Sequence, residues 1–411
     1  MNSTTRLLRP LAWLSLSASL FACPTKRDDD GRSQAPASPV AASAASAASA
    51  ASAASAANEE HERSESAHHV VFADRTSQAY LLLLLSPGPE PTRESLAQLV
   101  RTTLSSAEDE PEVKLLLELV TTQPRPSMAD PSLTAQERQT IQHQDLLGLH
   151  LDRLPVAAAG EEPLIPLEAL RDPISTRELS EQERASLPAR RHALILRAHY
   201  RNRYGVRGLR LLQTLVRIVA ADRQALIHDP DTGETMSLDA FTRRRLQSTV
   251  GNVADQVVVV PFPDPRHGEG FVRLSTRGMR RFGSVDFELD GLPREAAALD
   301  AATHLLYGMA YRMVRMGEYD REGYAVEVDD VVALTHADIS QAYAGRSATL
   351  PRCEGCPQSV DVHLVERPSE PHDPVEHVVA RLVAPRERSD ASGYDHPVWV
   401  RSALADLLGV R

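Results

Sequence analysis

Lysine is nearly absent from this 411-residue chain, with Lys26 and Lys114 as its only occurrences, so almost all of the basic charge is arginine. No block of Lys or Arg is dense enough to leave a nucleic-acid footprint, and the formal net charge is −11, so no nucleic-acid partner is expected. After residue 22 no segment approaches the roughly 18 apolar residues that a membrane-spanning helix requires. The most apolar stretch, Leu81–Leu85, has the length of a buried strand. Cysteine is scarce, with Cys23, Cys353 and Cys356 the three in the chain. Also missing are a G-x-S-x-G elbow, an H-E-x-x-H helix motif and a cysteine with an obvious catalytic partner. No catalytic constellation is therefore legible from local sequence, and no cofactor is expected.

What is present begins with an export signal. Arg6 and Arg9 precede an apolar segment, Leu11–Ala22, too short for a stable membrane span and matching a signal h-region. The residues that close it, Leu20-Phe21-Ala22-Cys23, resemble the bacterial lipobox, although Phe21 is bulkier than the usual residue there. The resemblance implies diacylation of the Cys23 thiol after cleavage of residues 1–22, with the lipid replacing a transmembrane helix as anchor. An ordinary cleaved signal with an incidental cysteine is the alternative. Loss of Arg6 and Arg9 with the signal takes the charge from −11 to −13. Pro24 follows the cysteine, so nothing resembles the aspartate retention signal of the inner membrane. The expected address is the cell envelope, at the outer membrane facing the periplasm.

Residues 23–68 read as a disordered tether. A charge cluster, Lys26-Arg27-Asp28-Asp29-Asp30, is followed by Pro36, Pro39 and a repeating Ala-Ala-Ser tract from Ala41 to Ala57. No apolar stripe lets a transient helix dock, and burial too small to offset chain entropy keeps such a segment mobile. A flexible chain of this length reaches on the order of 35–40 Å.

The remaining residues exceed what one core usually holds, and two lobes are expected, 69–188 and 189–411. In the first, Ala79–Ser86 reads as a strand, Thr92 caps a helix to about Ser105, Val113–Val120 reads as a second strand, and Thr134–Gln144 as helical. The stretch from there to Arg184 reads as irregular. In the second, strands are expected at His192–Tyr200, Ala225–His228, Val257–Phe262, Phe271–Thr276, Val285–Leu289, Val326–Leu334 and Val360–Glu366. Helices are expected from about Leu209 to Ala220, at Leu238–Ser248, at Arg294–Met316, and at His396–Leu408. The segregation of later strands predicts an α+β fold with two lobes of mixed sheet and packed helices. A strand–helix–strand outline at 79–120 recurs at 192–229, by duplication or by chance. The His192–Glu234 block also resembles bacterial domains of unknown function, which implies no activity.

Candidate chemistry is sparse. Cys353-Glu354-Gly355-Cys356 is a CxxC between Pro351 and Pro357, suited to a local disulfide in an oxidising compartment, with metal binding or redox chemistry as alternatives. A zinc site would need two further ligands; His336, His363 and His372 lie nearby without diagnostic spacing, and no metal site is assigned. Arg201, Arg203, Gly205, Arg207 and Gly208 form a loop between a strand and a helix start, where free N–H groups and guanidiniums favour an anion. Its spacing fits neither a Walker loop nor a dinucleotide fingerprint, and a solvated connection is the alternative. Asp229, Asp231 and Glu234 lack the later ligands of a calcium loop and read as a turn. Residues 372–377 carry one residue too many for an inverted zinc-protease motif. Two functions follow: a non-catalytic, membrane-tethered envelope protein that binds or scaffolds an unidentified ligand or partner, or a hydrolase of envelope material using residues such as His199, Asp300 and His304.

Overall fold

The computed structural model describes residues 69–409 apart from 126–129, 158–162, 166, 247–252, 319–326, 344–349, 351–358, 371–372 and 374–377. Cys23, Cys353, Cys356 and His372 lie outside the described residues. The fold is α+β, and its strands fall into two main sheets.

The first sheet holds β2 (Arg75–Leu84), β3 (Leu146–Pro155), β4 (His192–Arg201), β5 (Leu226–Asp229) and β6 (Glu234–Met236) in the order β3-β4-β2-β5-β6. All its neighbours are antiparallel. Alternation along β2 and β4 divides their side chains between two faces. Tyr80, Leu82, Leu194 and Leu196 enter the main core, while Leu81, Leu83 and Ile195 enter a second, smaller cluster on the opposite face. That second face is covered by Val156, Ile165, Leu170, Leu179 and Leu187, from connections and short helical turns. The expected boundary near residue 188 lies between strands of this one sheet, since β2 and β3 precede it and β4 to β6 follow.

Three helices lie on the main-core face. Helix α1 (Arg93–Thr103) starts where Thr92 and Ser95 form a reciprocal cap. Helix α2 (Pro111–Thr121) occupies the segment expected as a strand. Pro111 suits the first helical turn, Leu, Glu and Lys favour helix, and Val113, Leu116, Leu119 and Val120 share the buried side. A short apolar run does not by itself discriminate strand from buried helix. With α2 helical, the strand–helix–strand outline at 79–120 does not recur at 192–229. Helix α4 (Gly205–Arg223), which follows α3 (Ala135–His143), lies flat on the sheet with Leu209, Leu212, Leu215, Val216 and Val219 buried. Gly208 lets it do so: a Cβ there would stand 2.5 Å from Cγ of Tyr200 on β4.

The second sheet joins β7 (Val258–Pro263), β8 (Phe271–Arg277), β9 (Asp286–Pro293), β11 (Val331–Thr335), β12 (Ser359–Glu366) and β13 (Val379–Val383) in the order β11-β12-β13-β9-β8-β7. Only the β13–β9 pair is parallel, so this sheet is mixed. Strand β13 was not anticipated, nor was β3. Strands β1 (His69–Val71) and β10 (Glu327–Asp329) pair separately. The long helix α5 (Ala296–Glu318) buries Ala302, Leu305, Met309 and Met313 as the periodicity predicts, with α6 (His336–Ala342) and α7 (His396–Leu408) beside it. One apolar core, continuous from Tyr80 and Leu196 to Phe287 and Leu305, joins both sheets. Among the described residues no helix is long and apolar enough to cross a membrane.

Candidate metal centre and charged sheet face

Strand β9 carries Asp286-Phe287-Glu288-Leu289-Asp290. Phe287 and Leu289 enter the core, so the period of two turns all three carboxylates to the other face, where each is 0% exposed. Burying anions is costly unless each is paired and hydrogen bonded. Guanidiniums meet the need. Glu288 receives Arg266 at 2.7 Å, Arg273 at 3.1 Å and Arg367 at 3.0 Å. Arg367 and Arg277 also hold Asp373, at 2.8 and 3.2 Å, and Arg273 bonds Glu370 at 2.7 Å. The Phe262 ring lies 5.4 Å from the guanidinium carbons of both Arg273 and Arg277. Asp286 instead accepts the Thr276 hydroxyl at 2.8 Å and the Met279 N–H at 3.2 Å. Burial alone would raise the Asp373 carboxyl; hydrogen bonding from Arg367, the Glu370 N–H and the charges of Arg367 and Arg277 outweigh it and hold it below its usual range.

At the end of this face three side chains from distant segments converge. His267 sits in the β7–β8 turn, shaped by Asp264, whose Oδ1 accepts the Arg266 N–H while Oδ2 accepts the Gly291 N–H at 2.8 Å. Asp290 comes from β9. His396 opens α7, where Asp395 caps the Val398 N–H and Pro397 occupies the first turn. Gly291, at φ +68°, admits the His396 ring, since a Cβ there would lie 3.2 Å from its Cδ2. His396 Nε2 is 2.8 Å from Asp290 Oδ1, and His267 Nε2 is 3.4 Å from Asp290 Oδ2. The two imidazoles stack, with centroids 5.6 Å apart and planes 21° apart. The ligand atoms of all three residues lie within 4.8 Å of one another. Neither Nε2, nor Asp290 Oδ1, makes an aligned hydrogen bond, although each of these atoms is buried. The remaining polar atoms are anchored: Tyr394 Oη meets His396 Nδ1 at 2.8 Å, and Arg381 donates to Asp290 Oδ2 at 2.6 Å. Two imidazole nitrogens and a carboxylate oxygen facing one point are a donor set that can hold a cation.

A second charged cluster sits where the sheets meet. Asp229 at the end of β5 takes Arg281 at 3.0 Å and Arg245 at 3.2 Å; all three side chains are fully buried. Glu234 takes Arg244 at 2.7 Å, Arg245 at 3.1 Å and Arg177 at 2.7 Å. Burial acts to raise the Glu234 carboxyl, but Arg245 and Arg244 above all bring it down to about 2. The turn expected at 229–234 is therefore also a charged joint, with Arg280 on Asp231 at 2.8 Å.

The residues singled out from the loop after β4 are placed as follows. Helix α4 begins at Gly205, so the connection is only Asn202–Tyr204. Arg201 is buried, held by Asp74 at 2.7 Å and by the carbonyls of Gln144 and Ile141. Arg203 pairs with Asp145 at 2.7 Å and Arg207 with Glu112 at 2.8 Å. Gly205 has open space around it, whereas Gly208 faces the Tyr200 ring. The residues considered for hydrolysis are engaged separately: the His199 ring lies edge-on to His150 with centroids 4.8 Å apart, and His304 meets the Tyr343 hydroxyl at 2.7 Å. Asp300 is exposed. Burial, then His150 and Arg197, push His199 down to about 4. His363, near the CxxC in sequence, contacts Asp330 at 3.1 Å.

Sequence reasoning missed the charged face and the histidine–aspartate group. The acidic alternation along β9 was a visible signal for the first. His267 and His396 carry no such signal, since only the packing of α7 against β9 brings them together. Compared with known proteins, the chain matches no family model, no curated protein and no solved structure.

Proposed function

We propose that the chain is an exported envelope protein, lipid-anchored through Cys23, that binds or scaffolds an envelope component without catalysing its turnover. The lipobox-like Leu20–Cys23, the Ala/Ser-rich tract as spacer and the absence of an aspartate after Cys23 support attachment to the outer membrane, facing the periplasm. The observation that carries the non-catalytic part is that His199, His304 and Asp300 do not converge, His199 lying against His150, His304 meeting Tyr343 and Asp300 standing exposed; the buried carboxylates agree with it. Glu234, brought down to about 2, and Asp373, held below its usual range, are fixed as anions by arginines. A general acid or base works best with a pKa near the operating pH, so such groups are poor proton carriers.

Palmitate labelling with membrane fractionation tests the anchor. Wild type is expected to take up label and sediment with membranes, and Cys23→Ala to do neither; an unlabelled variant that sediments as firmly overturns the anchor. Release of soluble fragments from purified peptidoglycan by the detergent-solubilised protein overturns the non-catalytic part.

A further inference from the structure

We propose that His267, Asp290 and His396 form a binding site for a divalent transition-metal ion of the zinc class. The alternative is an ordinary histidine–carboxylate pair between His396 and Asp290, which would leave His267 Nε2 buried without a hydrogen-bond partner. His396 Nε2 and Asp290 Oδ1 approach to 2.8 Å but are poorly aligned as donor and acceptor, and neither has another hydrogen-bond partner although both are buried. His267 Nε2 is likewise buried and unpartnered. Leaving three such atoms unsatisfied in one place is costly, and one group satisfies all of them: a cation at the point they share.

The dimensions agree. Ligands about 2.0–2.2 Å from a tetrahedral zinc ion stand roughly 3.4 Å from one another. Here His396 Nε2 stands 2.8 Å from Asp290 Oδ1, His267 Nε2 stands 3.4 Å from Oδ2 of the same carboxylate, and one ligand atom from each residue falls inside 4.8 Å of the others. Among the described residues no other three His, Cys, Asp or Glu side chains converge this closely. The surroundings do what the outer shell of a metal site does: the contact of His396 Nδ1 with Tyr394 Oη orients the ring with Nε2 toward the shared point, and Arg381 on Oδ2 turns Oδ1 inward. Two imidazoles with one carboxylate suit zinc, cobalt or iron(II), whereas magnesium and calcium favour all-oxygen sets. The ligands come from the β7–β8 turn, the β9 strand and the first turn of α7, so the ion would tie α7 to the sheet.

The test uses the full-length protein in detergent, carrying Cys353→Ser and Cys356→Ser so that these thiols do not compete. After chelation it is titrated separately with Zn²⁺, Co²⁺ and Mg²⁺. One equivalent of Zn²⁺ is expected, with a visible ligand-field spectrum for Co²⁺ and no comparable binding of Mg²⁺. His267→Ala, in a turn whose neighbouring residues are exposed and so the variant least able to disturb folding, is expected to weaken Zn²⁺ binding more than about tenfold with an unchanged circular dichroism spectrum. Tyr394→Phe is expected to weaken it by a smaller factor. Zn²⁺ binding of equal affinity in His267→Ala, no stoichiometric Zn²⁺ in the parent, or Mg²⁺ binding as tight as Zn²⁺ would each overturn the site.

Discussion

On the five-stranded sheet, the face turned from the main core presents Leu81, Leu83 and Ile195, and a thin apolar layer covers them. On the six-stranded sheet, the corresponding face presents Asp286, Glu288 and Asp290, equally hidden, amid arginines. One chain thus closes one sheet face with hydrocarbon and the other with charge. The first solution shows that this architecture can be closed without ions. The second carries a desolvation cost that well-packed apolar residues would avoid, so stability alone does not account for it. The charged face is the specific one, and the histidine–aspartate group stands at its end.

The sharpest way to break this contrast is to remove one charge from the second face. Glu288→Gln leaves Arg266, Arg273 and Arg367 short of their shared anion, and a loss of about 3–5 kcal/mol is expected in urea unfolding. A loss below 1 kcal/mol would mean that the arginines re-pair elsewhere and the face is not tightly specified.

Acid titration separates the sheets by another route. Burial pushes His228 on β5 down to about 4 from 6.5, so the folded chain stays deprotonated there where the unfolded chain takes a proton. Stability from this group is present above about pH 6.5 and is lost as the pH falls toward 4, by up to about 3 kcal/mol. His199 adds a loss of the same sign. Urea midpoints at pH 7.5 and 4.5 should therefore differ less in His228→Gln than in wild type, and equal differences would remove His228 from the account.

The smallest effect belongs to the thin apolar layer. Ile195→Ala is expected to cost about 2 kcal/mol, the low end for such a truncation, because short covering turns can settle into the space. A cost equal to that of Glu288→Gln would erase the distinction between the two faces.

Much of the α+β frame was legible because period and punctuation agreed: Thr92 announced α1, the apolar band from Leu209 to Val219 announced α4, and Ala298 to Met313 announced α5. Val113–Val120 was not, because eight residues of Val, Leu, Glu and Lys suit a buried helix as well as a strand, and Pro111 was the deciding mark. Strand β3 was hidden by Pro155 at its end and by His150, Asp152 and Arg153 within it. The arginines after β4 were legible as charge but not as to destination, since Asp74, Asp145 and Glu112 come from other segments. The histidine–aspartate convergence was illegible for the same reason. It exists only after β7, β9 and α7 have docked.

Strand β1 has a consequence for how the molecule is assembled. His69, Val70 and Val71 pair with Asp329, Val328 and Glu327, and among the described residues β2 finds its neighbours in β4 and β5. A chain emerging amino-end first must therefore keep its opening strands waiting until late segments arrive, and loop closure over such separations is slow. Arrival of residues 327–329, rather than any early nucleus, is then the event that lets the first strand find its mate.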